Sequence, residues 1–310
     1  MKVLFVCSGN KKTLISPIVQ AQANSLLKFG IAVEIFPIKG KGIKGYLKNF
    51  FHLRRVIKET NFDVIHAHYG ISGLLAFFAN AKSKLVVSLM GSEIYASIVS
   101  LWVFRLFTRY CWHITIVKSQ AMSEALNSTQ SDIRIIPNGV DLNTFYPLEK
   151  DQARKELNIK SDKPLVLFPS NPNRAEKNFP LAQKICTRLN LKLIWLDNVP
   201  HQKVNLYYNA ADVVLLTSSF EGSPNAIKEA MAANRPIVST KVGDVEQNLS
   251  NTSRCHVCSH DREELARALS STINNNEPPG SLQRLLELEL DDESVAKRII
   301  KVYQNTKVTE

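Results

Sequence analysis

The chain has 310 residues, 45% of them hydrophobic and 22% charged, with a formal net charge of +11. That length suits two domains of ordinary size, each with its own core, and the composition is that of a soluble globular protein. Five scattered cysteines (Cys7, Cys111, Cys186, Cys255, Cys258) exclude a paired disulfide scaffold, and with no apolar run of about 18 residues a membrane-spanning helix is excluded too.

The opening MKVLFVCSGN reads as a first strand. Its apolar run is too short and too poorly flanked for a signal peptide, so the thiols read as reduced in a cytoplasm. A loop from Ser8 to Lys12 follows, then a helix over 16–28 closed by Gly30 and a strand over 33–36. This βαβ start favours a parallel, doubly wound sheet. The charge is uneven. Residues 1–145 hold 17 Lys+Arg against 7 Asp+Glu, a surplus of +10, and the remainder holds 22 against 21, a surplus of +1. The front half therefore faces something anionic: a membrane leaflet, a diphosphate-bearing acceptor or nucleic acid. Nucleic acid is set aside, because no helix-turn-helix, RNA-recognition or zinc-finger pattern accompanies the charge.

The most basic stretch is 39–58, where Lys39, Lys41, Lys44, Lys48, Arg54, Arg55 and Lys58 interleave with apolar residues. From Gly45 it forms an amphipathic helix, either docked with its basic face in water or lying on an anionic membrane surface. A strand over 63–69 places His66 and His68 on one face, read as half-buried. A strand over 84–90 leads into Gly91-Ser92-Glu93. The run 94–107 is apolar all round until Arg105: one helix, either buried in its domain or dipping into lipid with Arg105 and Arg109 at headgroup level. A strand over 113–117, a helix to Leu126 and the turn Pro137-Asn138-Gly139 complete the first half.

The second half repeats the alternation. Helical patterns cover 151–157, 201–211, 261–273 and 292–303, and strand patterns cover 164–170, 191–196, 212–217, 236–240 and 254–258. A loop over 171–178 opens a helix that runs to Leu189. Cys255-His256-Val257-Cys258 with His260 offers a single cysteine pair, on opposite faces of a strand, so no metal site is read there.

The densest signal is Ser218 to Ala232 (SSFEGSPNAIKEAMA), which carries two glutamates, Glu221 and Glu229, with seven residues between them. Ser223 reads as a helix N-cap and Pro224 as the first helical residue, with Asn234 as left-handed cap and Pro236 ending the helix. The first N–H groups, near Asn225 and Ala226, have no helical partner, and the dipole makes that end a phosphate site. Glu221 falls on the loop outside the strand's carboxyl end. Glu229 falls inside the helix, placed to accept from a pair of sugar hydroxyls.

This stretch, continued through EGSPNAIKEAMAANRPIVSTKVGD, resembles the nucleotide-binding signature of family 4 retaining glycosyltransferases, which have the GT-B fold. The resemblance extends over most of the chain. IPNGVD with Phe145 resembles the family's interdomain hinge, and DVIHAH its third strand. Arg174, Lys177 and Asn178 match its R-x-x-K-N loop on the donor diphosphate. Gly91-Ser92-Glu93 resembles a segment commonly reading H-G-S/T-D, with Met90 in place of the histidine and Glu93 in place of the aspartate. The loop holding Gly9 and Asn10 is poorer in glycine than its counterparts. The stretch between 196 and 201 lacks a strand–helix–strand portion, which shortens the second domain.

The resemblance implies an α/β protein of two Rossmann-like domains facing a cleft. Residues 1–145 would bind the acceptor, and residues 146–310 the nucleotide sugar, with the last helix crossing back. It implies a metal-independent, retaining hexosyltransferase moving a sugar from a UDP- or GDP-linked donor, without any cofactor, to a lipid-linked or saccharide acceptor, on the cytoplasmic side and in peripheral contact with an anionic membrane. Glu221, Arg174 and Lys177 would act in transfer. Glu229, Gly222, Ser223, Pro224, Asn225, Ala226, Asn178, Gly9, Asn10, Ser92 and Glu93 would bind donor or acceptor. Two other readings share the fold. One is a non-catalytic nucleotide-sugar-binding scaffold subunit, favoured by Met90 and the shortened second domain; the other is a nucleotide-sugar epimerase, which needs acid and base carboxylates.

Overall fold

The computed structural model describes residues 1–10, 15–40, 42–80, 83–95, 97–127 and 132–305, with only the backbone of 42–44. Lys11, Lys12 and Lys41, and the side chain of Lys44, lie outside the described residues. In chain order the elements are β1 (Lys2–Ser8), α1 (Pro17–Lys28), β2 (Ala32–Ile38), α2 (Gly42–Glu59), β3 (Val64–His68), α3 (Gly70–Ala79), β4 (Lys84–Ser88), α4 (Ser92–Tyr95), α5 (Ile98–Tyr110), β5 (Ile114–Val117), α6 (Gln120–Leu126) and β6 (Ile133–Ile135). They continue as α7 (Lys150–Glu156), β7 (Leu165–Phe168), α8 (Phe179–Arg188), β8 (Lys192–Trp195), α9 (His201–Ala210), β9 (Val213–Leu216), α10 (Asn225–Ala232), β10 (Ile237–Thr240), α11 (Val245–Leu249), β11 (Cys255–Cys258), α12 (Arg262–Asn274), α13 (Ser281–Glu287) and α14 (Asp292–Gln304).

Two compact units result: residues 1–139 with α14, and residues 140–291. The break falls at Gly139–Val140, ahead of the expected 145–146. Val140 donates its N–H to Leu290 O at 3.0 Å and Phe145 is buried against Tyr208, so both belong to the second unit's core.

The first unit holds a six-stranded sheet in the order β2-β1-β3-β4-β5-β6, parallel throughout. Because helices cover both faces, its inner strands read as continuous apolar runs. Period two divides their side chains between two cores. Leu4, Val6, Ile65 and Val87 pack with Leu53 of α2, Ala76 of α3 and Phe104 of α5. Val3, Phe5, Val64 and Val86 pack with Leu26 of α1 and with Val295 and Ile299 of α14. The second unit holds a parallel five-stranded sheet in the order β11-β10-β9-β7-β8, one strand fewer than the first. α9 and α10 cover one face through Tyr208, Ile227 and Met231, and α8 and α12 cover the other through Ile185, Leu265 and Leu269. The α/β expectation of two Rossmann-like units, the second shortened, therefore holds.

The apolar run 94–107 is not one helix. α4 ends at Tyr95 and α5 begins at Ile98, where Ser97 and Ser100 form a reciprocal capping box. Nor is α5 buried all round: Ile98, Trp102, Leu106 and Tyr110 are exposed.

Candidate functional site

In the second unit the chain leaves β7 for β8 on one side of the sheet and returns to β9 on the other. The carboxyl ends of β7 and β9 therefore open a crevice at the topological switch point, where open α/β sheets bind ligands. Two loops meet there, 171–178 after β7 and 217–224 after β9. They are stitched by Ser219 N–H to Glu176 O at 2.8 Å and by the Thr217 hydroxyl, 3.0 Å from the carbonyl oxygens of Lys177 and Asn178.

This stitching brings two expected residues, Lys177 and Glu221, together. Lys177 is 7% exposed, and its ammonium pairs with Glu221 Oε1. The same oxygen accepts from Ser218 Oγ at 2.9 Å. A buried ammonium beside a half-buried carboxylate is held as a partnered pair. Arg174 stands exposed on the same loop, 2.5 Å from Glu176. Asn178 turns the chain into α8 with φ +53, a conformation asparagine tolerates.

α10 begins one residue later than expected. Pro224 takes the N-cap position, and Ser223 does not cap. Its hydroxyl instead donates to Asp244 Oδ2 at 2.6 Å and accepts from Lys228 Nζ at 2.9 Å. The reason is burial: Lys228 is fully enclosed, and an enclosed ammonium must find acceptors. Burial pulls the Lys228 ammonium below its ordinary range, while Asp244 and Glu229 push it back up. The second oxygen of Asp244 is buried with no partner among the described residues. Gly222 and Gly243 let the two loops touch: a Cβ on Gly243 would stand 2.6 Å from Gly222 O, and its φ is +54. Asn225 and Ala226 are half-buried in the first turn of α10.

Glu229, half-buried on α10, accepts from the Tyr208 hydroxyl at 2.8 Å. Burial raises its carboxyl above the ordinary range, opposed by that hydrogen bond and by His201, Lys228 and Lys177. Tyr208 is fully buried, and Phe145 packs edge-on against it. The crevice thus presents a fixed cation, an exposed cation, a helix N-terminus and two carboxylates. Such a set neutralises a diphosphate and accepts hydrogen bonds from sugar hydroxyls.

Of the expected residues in the first unit, several already have partners within that unit. Gly9 donates its N–H to Ile38 O at 2.8 Å, and a Cβ there would meet Pro37 at 2.8 Å. Asn10 closes its amide on Gly40 in both directions, at 2.8 and 2.9 Å. Ser92 is exposed at the start of α4. Glu93 is buried; one oxygen accepts from Met90 N–H at 2.8 Å and Gly70 N–H at 3.3 Å, and the other has no partner among the described residues. Burial raises its carboxyl. His66 and His68 are fully buried rather than half-buried, stacked with ring centroids 4.4 Å apart. The His66 ring nitrogens lie 2.6 Å from Tyr303 OH and 2.8 Å from Ser88 Oγ.

Sequence reasoning passed over Ser218, Tyr208 and Lys228. Ser218 directly follows the strand and sits three residues before Glu221, a spacing that was available as a signal. Tyr208 and Lys228 gave none, since a lysine on a helix reads as solvated.

Comparison with known proteins places the chain in a family. Residues 4–144 match the family described as Glycosyltransferase Family 4, and residues 155–275 match Glycosyl transferases group 1. A protein of Bacillus subtilis (strain 168) named as a glycosyltransferase of teichuronic acid biosynthesis, TuaC, is 25% identical over 278 residues, covering 80% of this chain and 72% of that one. Among solved structures, sucrose-phosphate synthase from Thermosynechococcus elongatus superposes with a TM-score of 0.80 at 18% identity, over 98% of both chains. HepE of Anabaena, solved with UDP and glucose, gives 0.77 at 18% identity, over 98% of this chain and 99% of that one. Those two likenesses show the fold. The two family matches together span both units, and the chain belongs with the family 4 glycosyltransferases of GT-B fold.

Proposed function

We propose that the chain transfers a sugar from a nucleoside diphosphate sugar to a hydroxyl of a lipid-linked or saccharide acceptor, with retention of configuration and without a metal ion. The observation that carries this reading is the Lys177–Glu221–Ser218 cluster beside the N-terminus of α10, with Glu229 one and a half turns further on. Arg174, Lys177 and the α10 N–H groups neutralise the charge that develops on a departing diphosphate, which is the role divalent ions fill elsewhere. Glu221, oriented by Lys177 and Ser218, accepts from donor sugar hydroxyls. Tyr208 fixes the plane of the Glu229 carboxylate against the ribose. The leaving diphosphate takes the acceptor proton on the same face of the sugar, so no side-chain nucleophile is required. That HepE, a structural neighbour, was solved with UDP and glucose supports a nucleotide as the ligand class.

Thermal unfolding with UDP, GDP, ADP and CMP in EDTA tests the reading. One diphosphate, at about a hundred times its Kd, adds about 2.7 kcal/mol, and Glu229→Gln weakens that shift. No shift with any nucleotide overturns the donor site. The anomeric configuration of the first product, read by NMR, decides retention.

A further inference from the structure

The second unit holds a cavity that the donor crevice does not use. A parallel sheet gathers all its amino ends on one edge. Pro164, Asp212, Pro236 and Arg254 directly precede β7, β9, β10 and β11 on that edge, and all four line a cavity of about 900 Å³. The donor crevice opens at the opposite, carboxyl edge. The four residues of β7 or of β9, about 13 Å of extended chain, therefore separate the two. The cavity lining shares no residue with loops 171–178 and 217–224.

Three guanidiniums, of Arg154, Arg235 and Arg254, stand half-buried in its wall, and the Lys150 ammonium joins them. The lining carboxylate of comparable burial is Asp212, and it is already used. Its Oδ1 accepts from Lys150 Nζ at 2.8 Å, and its Oδ2 from Arg154 Nη2 at 2.6 Å and Leu165 N–H at 2.7 Å. Arg235 and Arg254 have carbonyl partners instead. Arg235 reaches Ala233 O at 3.0 Å and Asn209 O at 3.4 Å, and Arg254 reaches Thr272 O at 2.8 Å and Glu277 O at 3.1 Å. Among the described residues neither pairs with a carboxylate. A carbonyl satisfies a donor but leaves its charge uncancelled. Burial pulls the Arg235 guanidinium below its ordinary range; Glu149 and Asp212 oppose that shift, and Arg254 adds to it. The other lining carboxylates, Glu149, Asp162 and Glu277, are exposed, where water screens them.

Half-buried positive charge in excess of its counter-charges is what an oxyanion completes. The volume lies in the range of small-molecule sites, roughly 300–1,000 Å³, and is far more than a bare ion fills. Leu148, Ile273, Pro278 and Pro279 add apolar lining. We propose that this cavity is a second ligand site, binding a small organic phosphate with its phosphate group at Arg235 and Arg254 and its organic body on the apolar lining.

Titration calorimetry on the full chain tests it, with ribose 5-phosphate as the organic phosphate and inorganic phosphate as the bare ion. Ribose 5-phosphate binds more tightly than inorganic phosphate, and salt weakens both. Arg235→Gln and Arg254→Gln each weaken binding about tenfold. Both arginines also brace carbonyl groups, so two exposed positions keep the test decisive if either variant fails to fold. Lys163→Gln and Asn276→Asp each weaken binding about threefold. Lys177→Met, which disables the donor crevice, leaves it unchanged. Absence of binding overturns the proposal, and so does equal or tighter binding of inorganic phosphate. Loss of binding in Lys177→Met would put the ligand in the donor crevice and overturns it too, as does unchanged binding in every folded variant of the cavity.

Discussion

The two units share a winding rule and treat the same place in it in opposite ways. Each sheet has its switch point beside its first strand, β1 in one unit and β7 in the other. In the second unit that point gathers Lys177, Glu221, Lys228 and Glu229, ionisable groups enclosed or half-enclosed and paired. In the first, the neighbouring strand β3 buries two imidazoles, and burial holds both below their ordinary range, His68 at about 3. The first unit encloses two of its cations, Lys84 and Lys118, and the latter adds to the depression of both imidazoles. Topology supplies a crevice twice; among the described residues, it is the second unit's that gathers paired cations and carboxylates into one site.

Removing the charge tests that contrast most severely. Lys177→Met lowers kcat for donor cleavage about 100- to 1,000-fold, the cost of losing one preorganised donor to developing charge. Loss of less than tenfold would move transfer away from this crevice. Next in size, Lys228→Met leaves the half-buried Asp244 carboxylate without the ammonium that reaches it through Ser223 Oγ. The variant loses about 3 kcal/mol in urea unfolding, and Asp244→Asn added to it recovers at least half, giving a clear coupling in the double-mutant cycle.

The third prediction concerns the first unit alone. Its buried imidazoles are neutral when folded and protonate readily when unfolded, so the unfolded chain binds more protons between pH 6.5 and about 3. Their stabilisation is complete above pH 6.5 and is lost as pH falls. For His68 the loss reaches about 2 kcal/mol at pH 5. Urea midpoints at pH 7 and 5 check this, and His68→Phe flattens the slope. The smallest effect is Ser97→Ala, which removes half of the α5 capping box and costs about 1 kcal/mol in the first unit's transition while leaving nucleotide shifts in place.

Much of this contrast was legible in the residues. The strands were, because buried parallel strands are short apolar runs bounded by turns, and α1, α9, α10 and α12 were found to within two residues at each end. The Lys177–Glu221 pairing was reachable only through resemblance, since 44 residues separate the two. α3 was missed altogether. GISGLLAFFA has no polar face to set a period, and Tyr69, at φ +87, turns strand into helix with no capping side chain. Which side of α5 met water was illegible for the same reason: an apolar run does not say which of its faces lacks a neighbour. The Ser223 N-cap failed because a buried lysine further along the same helix, Lys228, claims that hydroxyl first.

α14 bears on how the protein is made. The first unit's core needs Val295, Ile299 and Tyr303, yet these follow the whole of residues 140–291 in the chain. A ribosome therefore finishes the second unit before the first can close. At ordinary synthesis rates the opened sheet waits roughly ten to thirty seconds for its last helix. During that interval the edge of the core beside α1 is the nascent chain's exposed flank.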